Sequence, residues 1–145
     1  MKYTSEIEIN LPVDRVVALF DNPENMKKWM EGLESFEPVS GIPGQVGARS
    51  KLRFKMRGRD MELLETITVR DLLAEFSGTY ETKGVFNIVK NRFTDLGNGR
   101  TRYATEQEFH FSGFMKVIGL LMPGTFKKQS VKYLEDFRKF AEAEG

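Results

Sequence analysis

The chain has 145 residues, 22 basic against 21 acidic side chains for a formal charge of +1, one His, no Cys, and twelve Phe among its aromatics. A chain of this size buries roughly 68–70% of its unfolded surface, so a single domain over residues 1–145 with a core of its own is expected. The missing cysteines exclude a disulfide framework, a thiolate metal site and a Cys nucleophile, and the charge balance leaves no general field to attract nucleic acid.

The first residues, Met1 to Glu6, lead into alternation and not into the apolar core of a signal peptide, so no targeting segment is expected. Tyr3, Ser5, Ile7 and Ile9 share one side and Thr4, Glu6 and Glu8 the other, the period of a half-buried strand over 2–10. Pro12 suits a first helical turn, and Val13, Val16, Val17 and Phe20 follow at helical spacing. Asp21-Asn22-Pro23 ends that helix, and a second short one carries Met26 and Trp29. From Leu33 to Ser112 strands alternate with turn chemistry at Gly41-Ile42-Pro43-Gly44, Arg57-Gly58-Arg59-Asp60, Leu72 to Glu75, Thr82-Lys83-Gly84 and Asn98-Gly99. Folding at Gly58-Arg59 sets Lys55 opposite Glu62 and Phe54 opposite Leu63. Several of these strands run to about ten residues against a usual five or six, and long antiparallel strands curl into a curved sheet. Helical period returns after Phe114. Phe126, Ser130, Tyr133, Leu134, Phe137, Phe140 and Ala141 form one stripe, with Lys127, Lys128, Lys132, Glu135 and Lys139 largely off it. That stripe needs an apolar partner, and the concave face of the sheet supplies it.

Several local runs sit inside this order. They are Asp14-Arg15-Val16, Leu19-Phe20-Asp21, Met26-Lys27-Lys28-Trp29, Gly41-Ile42-Pro43-Gly44-Gln45-Val46-Gly47, Leu96-Gly97-Asn98-Gly99-Arg100-Thr101-Arg102 and Leu134-Glu135-Asp136-Phe137-Arg138-Lys139-Phe140. In this order they resemble the START/SRPBCC superfamily, the group of the birch-pollen-allergen-like proteins, and its polyketide cyclase/dehydrase-like branch. The resemblance runs over essentially the whole chain. It implies an α+β helix-grip fold: a curved seven-stranded antiparallel sheet wrapped around a long C-terminal helix, with two short helices between the first two strands. It also implies a cavity between sheet and C-terminal helix that takes a small hydrophobic ligand such as a lipid, isoprenoid or polyketide. Only some members are enzymes, and no family catalytic signature carries over to this sequence. No cofactor, no metal and no nucleic acid is expected, and a cytoplasmic location fits.

The residues themselves narrow the chemistry. There is no Gly-x-Ser-x-Gly elbow, no Walker phosphate loop and no His-Glu-x-x-His, and one His without Cys leaves zinc almost no ligands. His110 shares its side with Arg102, Glu106 and Glu108, which predicts an exposed residue and not a general base. Lys51, Arg53, Lys55 and Arg57 alternate with Leu52, Phe54 and Met56, a solvated outer face. Met61, Leu63, Glu65, Ile67 and Val69 share the inward side, which aims Glu65 at the cavity unless a bulge shifts the register or the position lies at the open sheet edge. A carboxyl there must be paired, hydrogen-bonded or neutral, and is a weak candidate for acid/base work. Lys90 and Arg92 need water, so Asn87, Val89 and Asn91 face inward with Tyr80, Tyr103 and Gln107. These neutral groups either serve a ligand or satisfy one another in a filled core. The expected ligand contacts are Trp29, Phe54, Met56, Glu65, Tyr80, Asn87, Val89, Asn91, Tyr103, Gln107, Phe109, Leu121, Phe126, Ser130 and Tyr133.

The run Gly113 to Gly124 is apolar nearly all round, with hinge points at Gly119 and Pro123-Gly124. It reads either as a portal that touches membrane surfaces transiently, helped by Lys116, Lys127 and Lys128, or as a short buried helix. The uncharged core Val117–Phe126 spans about 15 Å as helix, half of a bilayer, and does not cross one. Three functions follow: a carrier or sensor of an apolar ligand, a polyketide cyclase/aromatase-like enzyme, or a protein-interaction module. The carrier leads, because no acid/base pair is visible among mainly neutral inward groups.

Overall fold

The computed structural model describes residues 1–56, 58–71 and 73–145, with the side chains of Met56 and Pro123 also outside the described set. Its strands are β1 Lys2–Ile9, β2 Leu33–Ser40, β3 Arg49–Met56, β4 Arg59–Asp71, β5 Glu75–Thr82, β6 Val85–Gly97 and β7 Arg100–Phe111. They form one antiparallel sheet in the order β1-β7-β6-β5-β4-β3-β2. Helix α1 Val13–Asp21, a 3₁₀ turn Pro23–Asn25 and α2 Met26–Trp29 connect β1 to β2, and α3 Met115–Leu121 with α4 Pro123–Glu144 follow β7. The fold is the expected α+β helix grip.

The strand order decides where a site can lie. β2 to β7 form a meander, while β1 returns to pair with β7, so β1 and β2 occupy opposite edges. The connection between them must cross the whole sheet, and α1, the 3₁₀ turn and α2 are that crossing. Rows of inward side chains run across the strands below it. One row reads Ser50, Glu65, Tyr80, Asn87, Phe109. The next reads Ile67, Gly78, Val89, Gln107, Tyr3, and a third reads Phe76, Asn91, Thr105, Ser5.

Two register details differ from the sequence reading. The β3–β4 hairpin pairs Met56 with Arg59, so Lys55 faces Asp60 and Phe54 faces Met61, while Arg53 meets Glu62 at 3.3 Å. The slip is two residues, which moves partners but leaves every side chain on its expected face. The second is a shift between Ile67 and Val69. Beyond this bulge Val69 turns out to solvent and Arg70 turns in. Gly78 faces Ile67 at the same place, where a Cβ would lie 2.8 Å from the Thr66 carbonyl oxygen. Only a residue without a side chain lets the strands approach so closely.

Aromatic residues fill the middle of the grip. Phe20 of α1 lies edge-on to Phe76, Phe93, Tyr103 and Phe137 and stacks on Trp29, with centroids 5.1–5.9 Å apart. Leu134, Phe137 and Ala141 of α4 are fully packed against this group. Nearer its start, α4 is tied to β1 by Tyr3, whose hydroxyl donates to the Phe126 carbonyl (2.8 Å) and sits 2.8 Å from Ser130 Oγ. A phenol has one proton, so Ser130 is the donor in the second contact.

Candidate functional site

A cavity of about 300 Å³ lies under the crossing, between α1–α2 and strands β2–β5. Phe20, Met26, Trp29 and Met30 come from the crossing, Phe36 from β2, and Ser50, Glu65, Ile67, Phe76 and Tyr80 from the floor. Pro23, Pro43 and Gly44 stand at its rim with Asp21 and Arg70. Arg70 donates to both Asp21 carboxylate oxygens, at 2.6 and 3.0 Å, and so pins the end of α1 to β4. The walls are chiefly apolar with a few convergent polar groups, the make-up of a small-molecule site, and the volume is at the low end for one.

Glu65 is the polar floor of this space. Its side of the strand is inward as the alternation predicts, and the residue is only 7% exposed. Burial pushes its carboxyl above the ordinary value, and a hydrogen bond from Tyr80, its partner across the ladder, pulls the other way. The Tyr80 phenol is raised well above its own ordinary value, by burial first and then by the adjacent Glu65 charge. No ion pair among the described residues involves Glu65, and the one cation at the cavity wall, Arg70, is engaged by Asp21. Glu65 is thus a buried carboxyl facing an apolar space, with its ionisation disfavoured by burial. It can donate to, or accept from, a polar atom brought into that space.

The other expected ligand contacts are divided by the aromatic plug. Trp29, Glu65 and Tyr80 line the cavity together. Asn91 and Tyr103 are buried in the filled part, where the Tyr103 hydroxyl donates to Asn91 Oδ1 at 2.9 Å. Asn87 donates to Gln107 Oε1 (3.2 Å) and Gln107 donates to Thr105 Oγ1 (2.9 Å), a self-satisfied chain beside Val89. Phe109 and Phe126 pack on each other and on Phe111, Ser130 binds Tyr3, and Tyr133 packs at the margin of the core. Phe54 belongs to a small cluster with Leu33 and Leu52. The Met56 side chain lies outside the described residues. Leu121, expected at the ligand, is 74% exposed on α3. Among the described residues no α4 residue lines the Glu65 cavity, and Phe20, Phe93, Tyr103 and Phe137 pack together between it and α4. Alternation missed Arg70, since only the bulge turns it inward, and missed Asp21, which read as a helix stop.

A second, larger cleft of about 580 Å³ opens between α2, the turn after it and α4. Lys27, Lys28, Lys132, Lys139, Glu31 and Asp136 are among its walls. Lys132 bridges Glu31 (3.0 Å) and Asp136 (2.6 Å), and the hydrogen bond to Asp136, followed by that to Glu31, raises its pKa. This cleft is broad and solvated, and both of its carboxylates are taken up by Lys132. Among the described residues no cluster of three or more His, Cys, Asp or Glu is placed to hold a metal ion. His110 is exposed and 2.8 Å from Glu108.

A family profile described as "Polyketide cyclase / dehydrase and lipid transport" matches residues 1–142. The chain belongs to this family. Solved structures place this family member in the START, birch-pollen-allergen-like fold. A START superfamily protein from Mycobacterium smegmatis is similar at TM-score 0.74 and 10% identity, over 99% of this chain and 95% of that one. An aromatase/cyclase from Streptomyces sp. R1128 is similar at TM-score 0.80 and 14% identity, over 98% and 93%. Norcoclaurine synthase from Thalictrum flavum, solved with dopamine and hydroxybenzaldehyde, is similar at TM-score 0.72 and 15% identity, over 100% and 88%. At these identities the likeness is one of fold. No curated protein matches the sequence.

Proposed function

We propose that this family member binds a small apolar ligand carrying one neutral hydrogen-bonding head group, with the tail among Phe20, Met26, Phe36 and Phe76 and the head at Glu65 and Tyr80. Residues 1–145 act as one binding unit in this reading. The observation that carries it is Glu65: a buried carboxyl without a cationic partner among the described residues, at the floor of an apolar cavity. The Trp29 indole N–H is buried beside this space and has no acceptor among the described residues. Calorimetric titration with 1-octanol and with octanoate tests it. Octanol is expected to bind, and octanoate at least about tenfold more weakly at neutral pH, since its charge would meet Glu65 without a cation. Ile67→Trp, which fills the floor, is expected to abolish octanol binding. Unchanged binding by Ile67→Trp contradicts the assignment.

The enzyme reading gains from one observation, the adjacency of Glu65 and Tyr80 in a single cavity. In that reading Glu65 passes a proton to or from the bound ligand, a role that requires an ionisable group. Glu65→Gln separates the two. A carrier keeps its octanol affinity within about threefold, because the amide still offers a donor and an acceptor, and has no turnover to lose. An aromatase/cyclase-like enzyme keeps binding and loses turnover of a polyketide-like substrate.

A further inference from the structure

The segment between β7 and α4 presents an apolar surface uncovered by the described residues. Phe114 and Leu120 are 76% and 82% exposed, and Val117, Leu121 and Met122 are exposed beside them. Their spacing puts Phe114, Val117, Leu120 and Leu121 on one side of α3. The opposite side is held down. Gly119 is buried against β7 so closely that a Cβ would lie 2.6 Å from the Phe111 ring, and one on Gly84 would lie 2.7 Å from Met115 Cγ. These two contacts fix the rotation of α3 and leave its apolar side facing solvent.

Charge along the same segment has one sign. From Phe109 to Leu134 the chain carries Lys116, Lys127, Lys128 and Lys132 and no Asp or Glu. Lys132 is taken up by Glu31 and Asp136, whereas no ion pair among the described residues involves Lys116, Lys127 or Lys128. Lys127 and Lys128 are exposed about 6–8 Å along α4 from its start, which directly follows the apolar patch in the chain. A second copy of the chain is a poor occupant: α3 is seven residues long, whereas a stable interface uses about 20–30 residues a side. No helix of the described residues is long and apolar enough to cross a membrane, so the contact is one with a surface.

We propose that α3 and the first turns of α4 form a docking surface for an anionic lipid bilayer, with Phe114, Leu120 and Leu121 entering the acyl boundary and the three lysines meeting headgroup phosphates. The surface stands apart from the Glu65 cavity and does not depend on what occupies it. Flotation of the full chain with phosphatidylglycerol/phosphatidylcholine vesicles tests the proposal, with phosphatidylcholine vesicles alone as reference. The protein is expected to float with the anionic vesicles at low salt and to be released at high salt. Lys128→Gln is expected to weaken partitioning about fivefold, the equivalent of about 1 kcal/mol per lysine at a charged surface. Leu120→Asp with Leu121→Asp is expected to abolish flotation while the circular dichroism and melting temperature stay as in wild type. Phe114→Ser replaces that variant if it fails to fold. Absence of wild-type flotation at low salt overturns the proposal, as does undiminished flotation of the folded leucine or Phe114 variant. A dimer in sedimentation equilibrium that these variants lose, without vesicle binding by wild type, assigns the patch to self-association and overturns it equally.

Discussion

At Glu65 the folded chain holds a carboxyl where ionisation is disfavoured, so proton binding and folding are linked. The folded form binds this proton more tightly than the unfolded chain does. Its stabilisation is therefore complete below the ordinary carboxylate range and is lost as pH rises through the raised value. Thermal melts of wild type and Glu65→Gln from roughly pH 4 to pH 8 check the sign: wild type is expected to lose stability relative to the variant as pH rises. Parallel pH profiles would contradict a raised Glu65 pKa in the folded chain. Beside it, Arg70→Ala removes a partly buried two-point ion pair, and urea unfolding is expected to register a loss of about 1–2 kcal/mol, small because both partners still see solvent. Alternation offered Glu65 as an inward candidate but left a bulge or an open sheet edge as alternatives, and the register break falls only after it, between Ile67 and Val69. Arg70 was not legible, because the break inverts every side after it.

Among the elements, α4 was the most readable. Its stripe of Leu134, Phe137 and Ala141 at helical spacing is the stripe that packs. Phe137 is wholly buried among Phe20, Trp29, Tyr103 and Phe140, so Phe137→Ala is expected to cost roughly 3–5 kcal/mol in urea unfolding, the range for emptying an aromatic core position. A loss under about 1 kcal/mol would mean that the site collapses around the truncation. Helix α3 was harder. An apolar run of this length can be a buried helix or an exposed one, and periodicity alone does not choose. The choice is made by Gly119, whose lack of a side chain seats one face on Phe111 and turns Leu120 and Leu121 outward. Gly119→Val is expected to lower stability by roughly 1–3 kcal/mol through overpacking on that ring.

For the whole molecule, the path between the two edge strands governs the site. Because β1 and β2 lie at opposite edges, α1 and α2 must cross the sheet, and their aromatic side chains divide the space beneath them. The part toward β6, β7 and α4 holds the aromatic core and the Tyr103–Asn91 and Asn87–Gln107 pairs, and the part toward β2–β5 keeps the cavity. Alternation and helical spacing were enough for the order of elements, and the family resemblance of that order implied the helix grip. They did not locate the cavity, since which of two apolar regions is filled depends on where Phe20 points, and no one-dimensional pattern carries that. The most direct measurement is amide and methyl NMR shift mapping of the full chain titrated with 1-octanol. Perturbations are expected at Ser50, Ile67, Phe76 and Tyr80 and at the Trp29 indole N–H, with Asn91, Tyr103 and Gln107 unmoved. Shifts centred on Asn91, Gln107, Phe109 and Phe126, or confined to α3, would contradict a ligand site at Glu65.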